Sequence, residues 1–138
     1  MATAKTSTRP LSPHLGIWKW GPHMLVSILH RATGDGMALV GLGLITWWLA
    51  ALAGGPDSYA AFVDLFTVKS GALNIVGYVF GIGLTLSFFQ HTASGIRHFV
   101  LDTGAGYELK GNKRGAISTM VFSIVATLAF WAWLTVGK

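Results

Sequence analysis

The chain has 138 residues, of which 52% are hydrophobic and only 11% are charged, against roughly 25% charged in an ordinary soluble domain. This length fits one domain at most, and a soluble protein built on three buried core helices would have too few polar residues to cover its surface. The absence of cysteine excludes a disulfide or a cysteine-ligated iron–sulfur cluster within the chain. The net charge of +5 lies in clusters beside apolar segments, which favours a lipid membrane over nucleic acid as the partner.

Residues 1–23 are predicted to be an N-terminal tail followed by an interfacial segment. The stretch RPLSPHLGIWKWGPHM, residues 9–24, contains three prolines and two glycines, so it cannot form one continuous helix. The aromatic residues around Lys19 suit the headgroup layer of a membrane. The residues before this stretch have no apolar core of the kind that a signal peptide requires, and we expect them to form a disordered tail.

Three windows of the chain contain no Asp, Glu, Lys or Arg. They are 21, 27 and 23 residues long, whereas a helix needs about 20 predominantly apolar residues to span the hydrocarbon core. In the second window, Gly77 and Gly81 form a GxxxG pair, which lets another helix pack closely in lipid. The sequence therefore predicts an all-α membrane protein with three transmembrane helices, preceded by the interfacial segment. We expect one anchor domain over 24–138, with its helices at about 24–53, 70–102 and 116–136.

The distribution of charge predicts the orientation of the chain. Basic residues cluster before the first predicted helix and between the second and third, whereas the connection GGPDSYAAFVDLFTVK has one lysine and two aspartates. By the positive-inside rule, the N-terminus faces the cytoplasm and the C-terminus the periplasm. Tryptophans near the outer ends of the first and third helices match an aromatic belt. The short N-terminal extension favours the cytoplasmic (inner) membrane of a bacterium over the mitochondrial inner membrane.

Polar residues in the second predicted helix fall on one face. His91, Gly95, His98 and Asp102 stand at i, i+4, i+7 and i+11, which helical geometry places in one stripe, with His91 roughly 10 Å deeper in the membrane than His98. An ionisable group at membrane depth is costly and points to a functional site. Gly95 leaves a gap in this stripe, with room for a flat group against the helix.

The first predicted helix carries a second polar cluster in the sequence SILHRATG, residues 27–34. Ser27 and Arg31 stand four residues apart, and His30 flanks them. Because the first and second helices are antiparallel, this cluster and the histidine stripe fall at the same end of the membrane. A helix imidazole is a common axial ligand of haem iron, and Arg with His suits haem propionates. A serine hydroxyl, an arginine and a carboxylate suit a quinone.

Structural explanations stand beside these functional ones. Arg31 and Arg97 can be positive-inside charges that snorkel to the interface, and the Ser27 hydroxyl can bond to a backbone carbonyl one turn earlier. An isolated membrane histidine can be a satisfied polar contact. The convergence of two polar clusters at one depth favours a functional pocket.

Together these motifs resemble one family, the cytochrome b-type membrane anchor of succinate dehydrogenase (respiratory complex II), and within it the larger of the two small anchor chains. The motifs RPLSPHL near the N-terminus, SILHRATG opening the first helix and HTASGIRHFVLD ending the second carry the resemblance. With the three-helix layout, the resemblance covers nearly the whole chain.

The resemblance implies a role for each polar residue. His91 would be an axial ligand of haem b, which the chain would share with the smaller anchor subunit. Three residues would belong to the ubiquinone site: Ser27, Arg31 and Asp102. Three would lie in the haem pocket or beside the haem propionates: His30, Arg31 and His98. The flavoprotein and iron–sulfur subunits would be separate chains on the cytoplasmic face, and the complex would reduce ubiquinone with electrons from succinate.

Two other functions compete with this one. A fumarate reductase anchor would serve the same couple in reverse, since the direction is set by redox potentials in other chains. A structural anchor without a cofactor would have no need of a histidine at the depth of His91. A transporter is disfavoured because three spans show no inverted repeat.

Overall fold

The computed structural model describes residues 19–137. Within this range, three helices are long and apolar enough to cross a membrane, and the only strand-like pairing is an isolated bridge between Thr67 and Leu73. The predicted fold class, an all-α protein with three membrane-spanning helices, is confirmed. The predicted N-terminal tail and most of the interfacial segment fall on residues 1–18, which lie outside the described residues.

The chain forms three spanning helices and one short helix between the first two. The first spanning helix is Pro22–Ala53, the loop helix is Pro56–Phe66, the second spanning helix is Ile75–Asp102 and the third spanning helix is Leu109–Val136. Each spanning helix packs against the other two. The charge pattern predicts which end of the bundle is cytoplasmic. That end is formed by the start of the first spanning helix, the end of the second and the start of the third.

The first spanning helix begins at a proline and ends at a glycine pair. Pro22 lies in its first turn, where the missing N–H costs nothing. The segment Met37–Gly41 is π-helical, a widening of the helix that is frequent near functional sites. Gly55 has a φ of 91°, which glycine adopts without strain, so the chain reverses there.

The loop helix was not expected, because the Gly-Pro-Asp sequence that opens it is a turn signal when it stands alone. In the structure, the proline fits the first turn of a helix. Two phenylalanines of that helix, Phe62 and Phe66, lie against Trp47, with ring centroids 4.9 and 6.2 Å from the indole. Tertiary packing on the first spanning helix thus stabilises a segment that the sequence pattern marks as a connection.

The second spanning helix begins at Ile75 rather than at residue 70. Asn74 caps it, since its Oδ1 accepts a hydrogen bond from the Gly77 amide at 2.9 Å and satisfies one of the free donors of the first turn. The Asn74 Nδ2 group donates to the Leu65 carbonyl at 2.8 Å. One side chain therefore fixes both the helix start and the end of the loop helix.

The third spanning helix begins at Leu109, earlier than the expected residue 116, so half of the predicted polar loop is helical. The guanidinium of Arg97 donates a hydrogen bond to the Asn112 side-chain oxygen. At Gly115 an added Cβ would lie 3.5 Å from the Arg97 Nε atom. Arg97 therefore joins the ends of two helices, a role that its position in the GIRH motif did not reveal.

The interior of the helix bundle is small and polar. The buried polar residues are Gln90, Ser94, Thr119, Ser123 and Thr127. The GxxxG glycines face two different neighbours: Gly77 lies against the Phe66 carbonyl and Gly81 against the indole ring of Trp131. Large apolar side chains are mostly exposed, as expected where lipid covers the surface and small residues pack the helices.

Candidate functional site

Three histidines from two helices meet at the predicted cytoplasmic end of the bundle. The rings of His30 and His91 stack with their centroids 4.0 Å apart and their planes 9° from parallel. The ring of His98 lies 4.9 Å from that of His30, tilted by 56°. The structure thus brings the histidine stripe of the second spanning helix against the SILHRATG cluster of the first. We call these three residues the histidine cluster.

The backbone of the first spanning helix determines which nitrogen of a neutral His91 ring carries the hydrogen. Nδ1 of His91 lies 3.0 Å from the His30 carbonyl oxygen, an acceptor, so the N–H of a neutral ring is at Nδ1. The Thr33 hydroxyl oxygen lies 3.4 Å from the same nitrogen. The lone pair is then on Nε2, which makes no hydrogen bond within residues 19–137. A metal-ligating histidine typically has this tautomer, with one ring nitrogen donating to a backbone carbonyl and the other left for the metal.

Gly34 makes room for the His91 ring. A Cβ atom added at Gly34 would lie 2.8 Å from the His91 Cε1 atom, closer than two carbons can approach without displacement. A glycine is therefore needed for the ring to lie against the first spanning helix. The glycine of the SILHRATG motif thus has a steric role toward a residue 57 positions later in the chain.

Ser94 holds the His30 ring, a role that the sequence pattern does not indicate. The Ser94 hydroxyl is fully buried and donates to the Gln90 carbonyl at 2.7 Å. Its oxygen lies 2.7 Å from Nδ1 of His30 and accepts that N–H, because the single hydroxyl proton is already used. An added Cβ at Gly95 would lie 3.7 Å from His30 Cε1, so the gap in the histidine stripe lies beside the His30 ring.

Ser27 and Arg31 line an open cavity of about 400 Å³ on the surface of the first spanning helix, and the residues Trp20, His23, Met24 and Ile28 complete its lining. We call it the Ser27–Arg31 cavity. Two polar side chains predicted from the sequence are therefore brought together, whereas Asp102, an exposed residue at the end of the second spanning helix, does not line the cavity.

His23 and Trp20 also line the cavity, although the sequence pattern alone did not predict them. His23, Ser27 and Arg31 are spaced at i, i+4 and i+8, a pattern that reveals the shared face once the helix is known to begin at Pro22. The expected helix start at residue 24 left His23 outside it.

Behind the histidine cluster, Gln90 joins the second and third spanning helices. Its side chain is 4% exposed, and its Oε1 atom accepts a hydrogen bond from the Ser123 hydroxyl at 2.8 Å. The Gln90 carbonyl in turn accepts from Ser94. Hydrogen bonds therefore run from the third spanning helix to His30 on the first.

Comparison with known proteins agrees with the resemblance that the motifs suggest. A profile of the family described as succinate dehydrogenase/fumarate reductase transmembrane subunit matches residues 5–130. The succinate dehydrogenase cytochrome b556 subunit of Paracoccus denitrificans is 31% identical over 125 residues, which cover 91% of each chain. The corresponding subunit of Rickettsia felis is 30% identical over 123 residues, 89% of this chain and 90% of that one.

A mitochondrial relative shows the same extent of similarity. The succinate dehydrogenase cytochrome b560 subunit of Sus scrofa is 30% identical over 127 residues, 91% of this chain and 72% of that protein. The similarity therefore spans all three helices, from the SILHRATG motif to the third spanning helix. The chain belongs to the succinate dehydrogenase/fumarate reductase transmembrane subunit family, as a membrane anchor of the cytochrome b type.

Proposed function

We propose that this chain forms part of the site at which a succinate dehydrogenase reduces ubiquinone. The observation that carries the proposal is the Ser27–Arg31 cavity, because it places a hydroxyl and a guanidinium together beside apolar side chains at the start of the first spanning helix. A quinone has an apolar ring with two carbonyl oxygens, so it needs apolar walls and hydrogen-bond donors. Met24, Ile28 and Trp20 supply the walls.

The two polar residues have separate tasks in this proposal. The Ser27 hydroxyl donates a hydrogen bond to one quinone carbonyl and orients the ring. The Arg31 guanidinium, which stays protonated, stabilises the negative charge that the oxygen gains as electrons arrive. The electrons come from an iron–sulfur subunit, and a flavoprotein subunit oxidises succinate. Asp102 does not line this cavity, so it would belong to the quinone site only if the site extends beyond the cavity in the assembled complex.

The histidine cluster fits haem b on the evidence of its hydrogen bonds. His91 would hold the haem iron through Nε2, because its Nδ1 is bonded to the His30 carbonyl. Only one ligand is expected from this chain, with the second from the smaller anchor subunit. His30, Arg31 and His98 would surround the haem or its propionates. When bound, the haem would supply a one-electron redox group and join the two anchor chains.

The proposal includes a location and an orientation. The chain would lie in the cytoplasmic membrane of a bacterium, with the Ser27–Arg31 cavity at the cytoplasmic side where the iron–sulfur subunit docks. The cluster of basic residues near that end supports this orientation. The aspartates and tryptophans near the loop helix support a periplasmic position for the opposite end.

The test is quinone reductase activity of the assembled complex carrying S27A or R31L. Both variants are expected to lose most electron transfer from succinate to ubiquinone while they retain succinate oxidation with a soluble artificial acceptor. S118A and R114L are matched controls, because both residues are exposed and neither lines the cavity. Wild-type quinone reduction in S27A and R31L would refute the proposal, and loss of both activities would indicate an assembly role.

A fumarate reductase anchor is the second candidate, since the matching family includes both enzymes. The relatives named above are succinate dehydrogenase subunits, which favours succinate oxidation. The ratio of succinate oxidation with ubiquinone to fumarate reduction with a low-potential quinol, measured on the intact complex, distinguishes the two.

A further inference from the structure

The reduction of a quinone to a hydroquinone consumes two electrons and two protons, and each carbonyl oxygen becomes a hydroxyl. The electrons are supplied by the succinate-oxidising chains, but the protons must come from groups at the quinone. Of the residues that line the Ser27–Arg31 cavity, Arg31 stays protonated and Ser27 can only pass on a proton that it receives. Trp20, Met24 and Ile28 carry no acid that functions near neutral pH.

The remaining lining residue is His23, and imidazole is the side chain that gains and loses a proton near neutral pH. We propose that His23 is the proton donor to the quinone bound in the Ser27–Arg31 cavity. This inference rests on the proposed function, since it requires that the cavity binds a quinone. It adds a catalytic residue that the motif resemblance does not assign.

The geometry of the first turns of the helix supports this role. His23, Ser27 and Arg31 follow one another at four-residue intervals, which places them about 6 Å apart along the helix axis on one face. The His23 side chain is exposed, and it makes no hydrogen bond within residues 19–137. The ring therefore borders the cavity and lies at the surface of the chain, at the start of the first spanning helix.

Gly21 lets the His23 ring take this position. An added Cβ at Gly21 would lie 2.5 Å from Cε1 of His23, so the ring folds back over the residue that precedes the helix. The charged residues nearest to His23 in the chain are the cations Lys19 and Arg31. The cavity lining includes no titratable residue of the second or third spanning helix.

The proton transfer balances with the electrons that the complex delivers. As the quinone oxygen gains negative charge, the protonated His23 ring releases its N–H proton, and an O–H bond forms on that oxygen. The neutral ring then takes a proton from water on its exposed side. The second proton goes to the carbonyl oxygen on the opposite side of the ring and is drawn from water, so that two electrons and two protons yield the hydroquinone.

The experiment is steady-state ubiquinone reduction by the intact complex carrying H23Q, measured from pH 5 to 9. Glutamine keeps a hydrogen-bonding side chain of similar size but cannot deliver a proton. We expect kcat to fall roughly 100-fold, the lower range for a positioned acid, with KM for ubiquinone little changed. The wild-type rate should decrease as the pH rises, because the donor must carry its proton, and this decrease should vanish in H23Q. Imidazole added to the buffer should restore part of the rate.

K19Q is the control for loss of a neighbouring cation, and succinate oxidation with an artificial acceptor is the control for assembly. An H23Q complex with the kcat and pH profile of the wild type would overturn the inference, while S27A and R31L would still decide the proposed function separately. A change in KM alone would make His23 a binding contact and also overturn it. If H23Q fails to assemble, the wild-type profile decides, because a rate that is flat over the whole measured pH range contradicts an imidazole donor.

Discussion

Nδ1 of His91 lies 3.0 Å from the backbone carbonyl oxygen of His30, and the two rings stack 4.0 Å apart. A backbone carbonyl cannot change its protonation state, so it fixes the His91 tautomer more firmly than a side chain would. The same residue, His30, thus positions the His91 ring with its backbone and covers it with its side chain. The arrangement leaves one imidazole nitrogen of His91 available to a ligand.

The first prediction concerns that nitrogen. H91A is expected to lose or shift the α-band of a b-type haem in the reduced-minus-oxidised spectrum of the purified complex, because the residue proposed to hold the haem iron is removed. H98A should keep a band, since His98 is expected near the haem edge and not at the iron. A wild-type complex without any b-type band would exclude the axial role of His91. An unchanged band in H91A would assign the ligand to another residue.

The second prediction concerns the space at Gly34. G34A places a methyl group 2.8 Å from the His91 ring, so the ring must move away from its carbonyl partner. We expect reduced haem occupancy and a shifted α-band, with a loss of stability of about 1–3 kcal/mol from overpacking. G36A is the matched control, because an added Cβ at Gly36 meets nothing within 4 Å. Equal spectra for G34A and G36A would contradict the steric role of Gly34.

The third prediction concerns the hydroxyl of Ser94. S94A removes the acceptor of the His30 N–H and leaves that group unpaired in a half-buried site, which should cost about 1–3 kcal/mol. The midpoint temperature of haem loss on heating should fall, and the haem reduction potential should shift as His30 moves. The matched control is S118A, because the Ser118 hydroxyl also donates to a carbonyl four residues earlier, at 2.8 Å, but has no histidine partner. A similar response in both variants would assign the effect to the local backbone bond alone.

The features that could be predicted from the sequence depend on residue spacing within each helix and on the order of the helices. The three spans follow from windows without charge, and the proximity of His30 to His91 follows from two antiparallel helices with polar residues at the same end. Neither inference requires knowledge of side-chain conformations. The GxxxG pair likewise indicated close packing without indicating that Gly77 and Gly81 contact different neighbours.

The features that could not be predicted depend on contacts between segments. The Ser94 hydroxyl bonds to its own helix, as Ser118 does, and only the position of His30 gives it a second partner. The loop helix forms because Trp47 offers an apolar surface to Phe62 and Phe66, a contact that no local pattern encodes. His23 was outside the expected first helix, so its alignment with Ser27 was not visible from the sequence.

The last prediction concerns the packing of the second and third spanning helices at the end far from the histidine cluster. G81V is expected to weaken the bundle, because an added Cβ at Gly81 would lie 2.8 Å from two atoms of the Trp131 indole, and helices in lipid depend on such close approach. The expected loss is about 1–3 kcal/mol, measured as a lower midpoint of thermal dissociation of the complex in detergent. G83V is the control, since an added Cβ at Gly83 meets nothing within 4 Å. Both variants replace glycine by valine within the same helix, so their effects on helix propensity should be similar. If G83V were as destabilising as G81V, the effect of G81V could not be assigned to contact with Trp131. The exposed surface at Gly83 would then also pack against another chain of the complex.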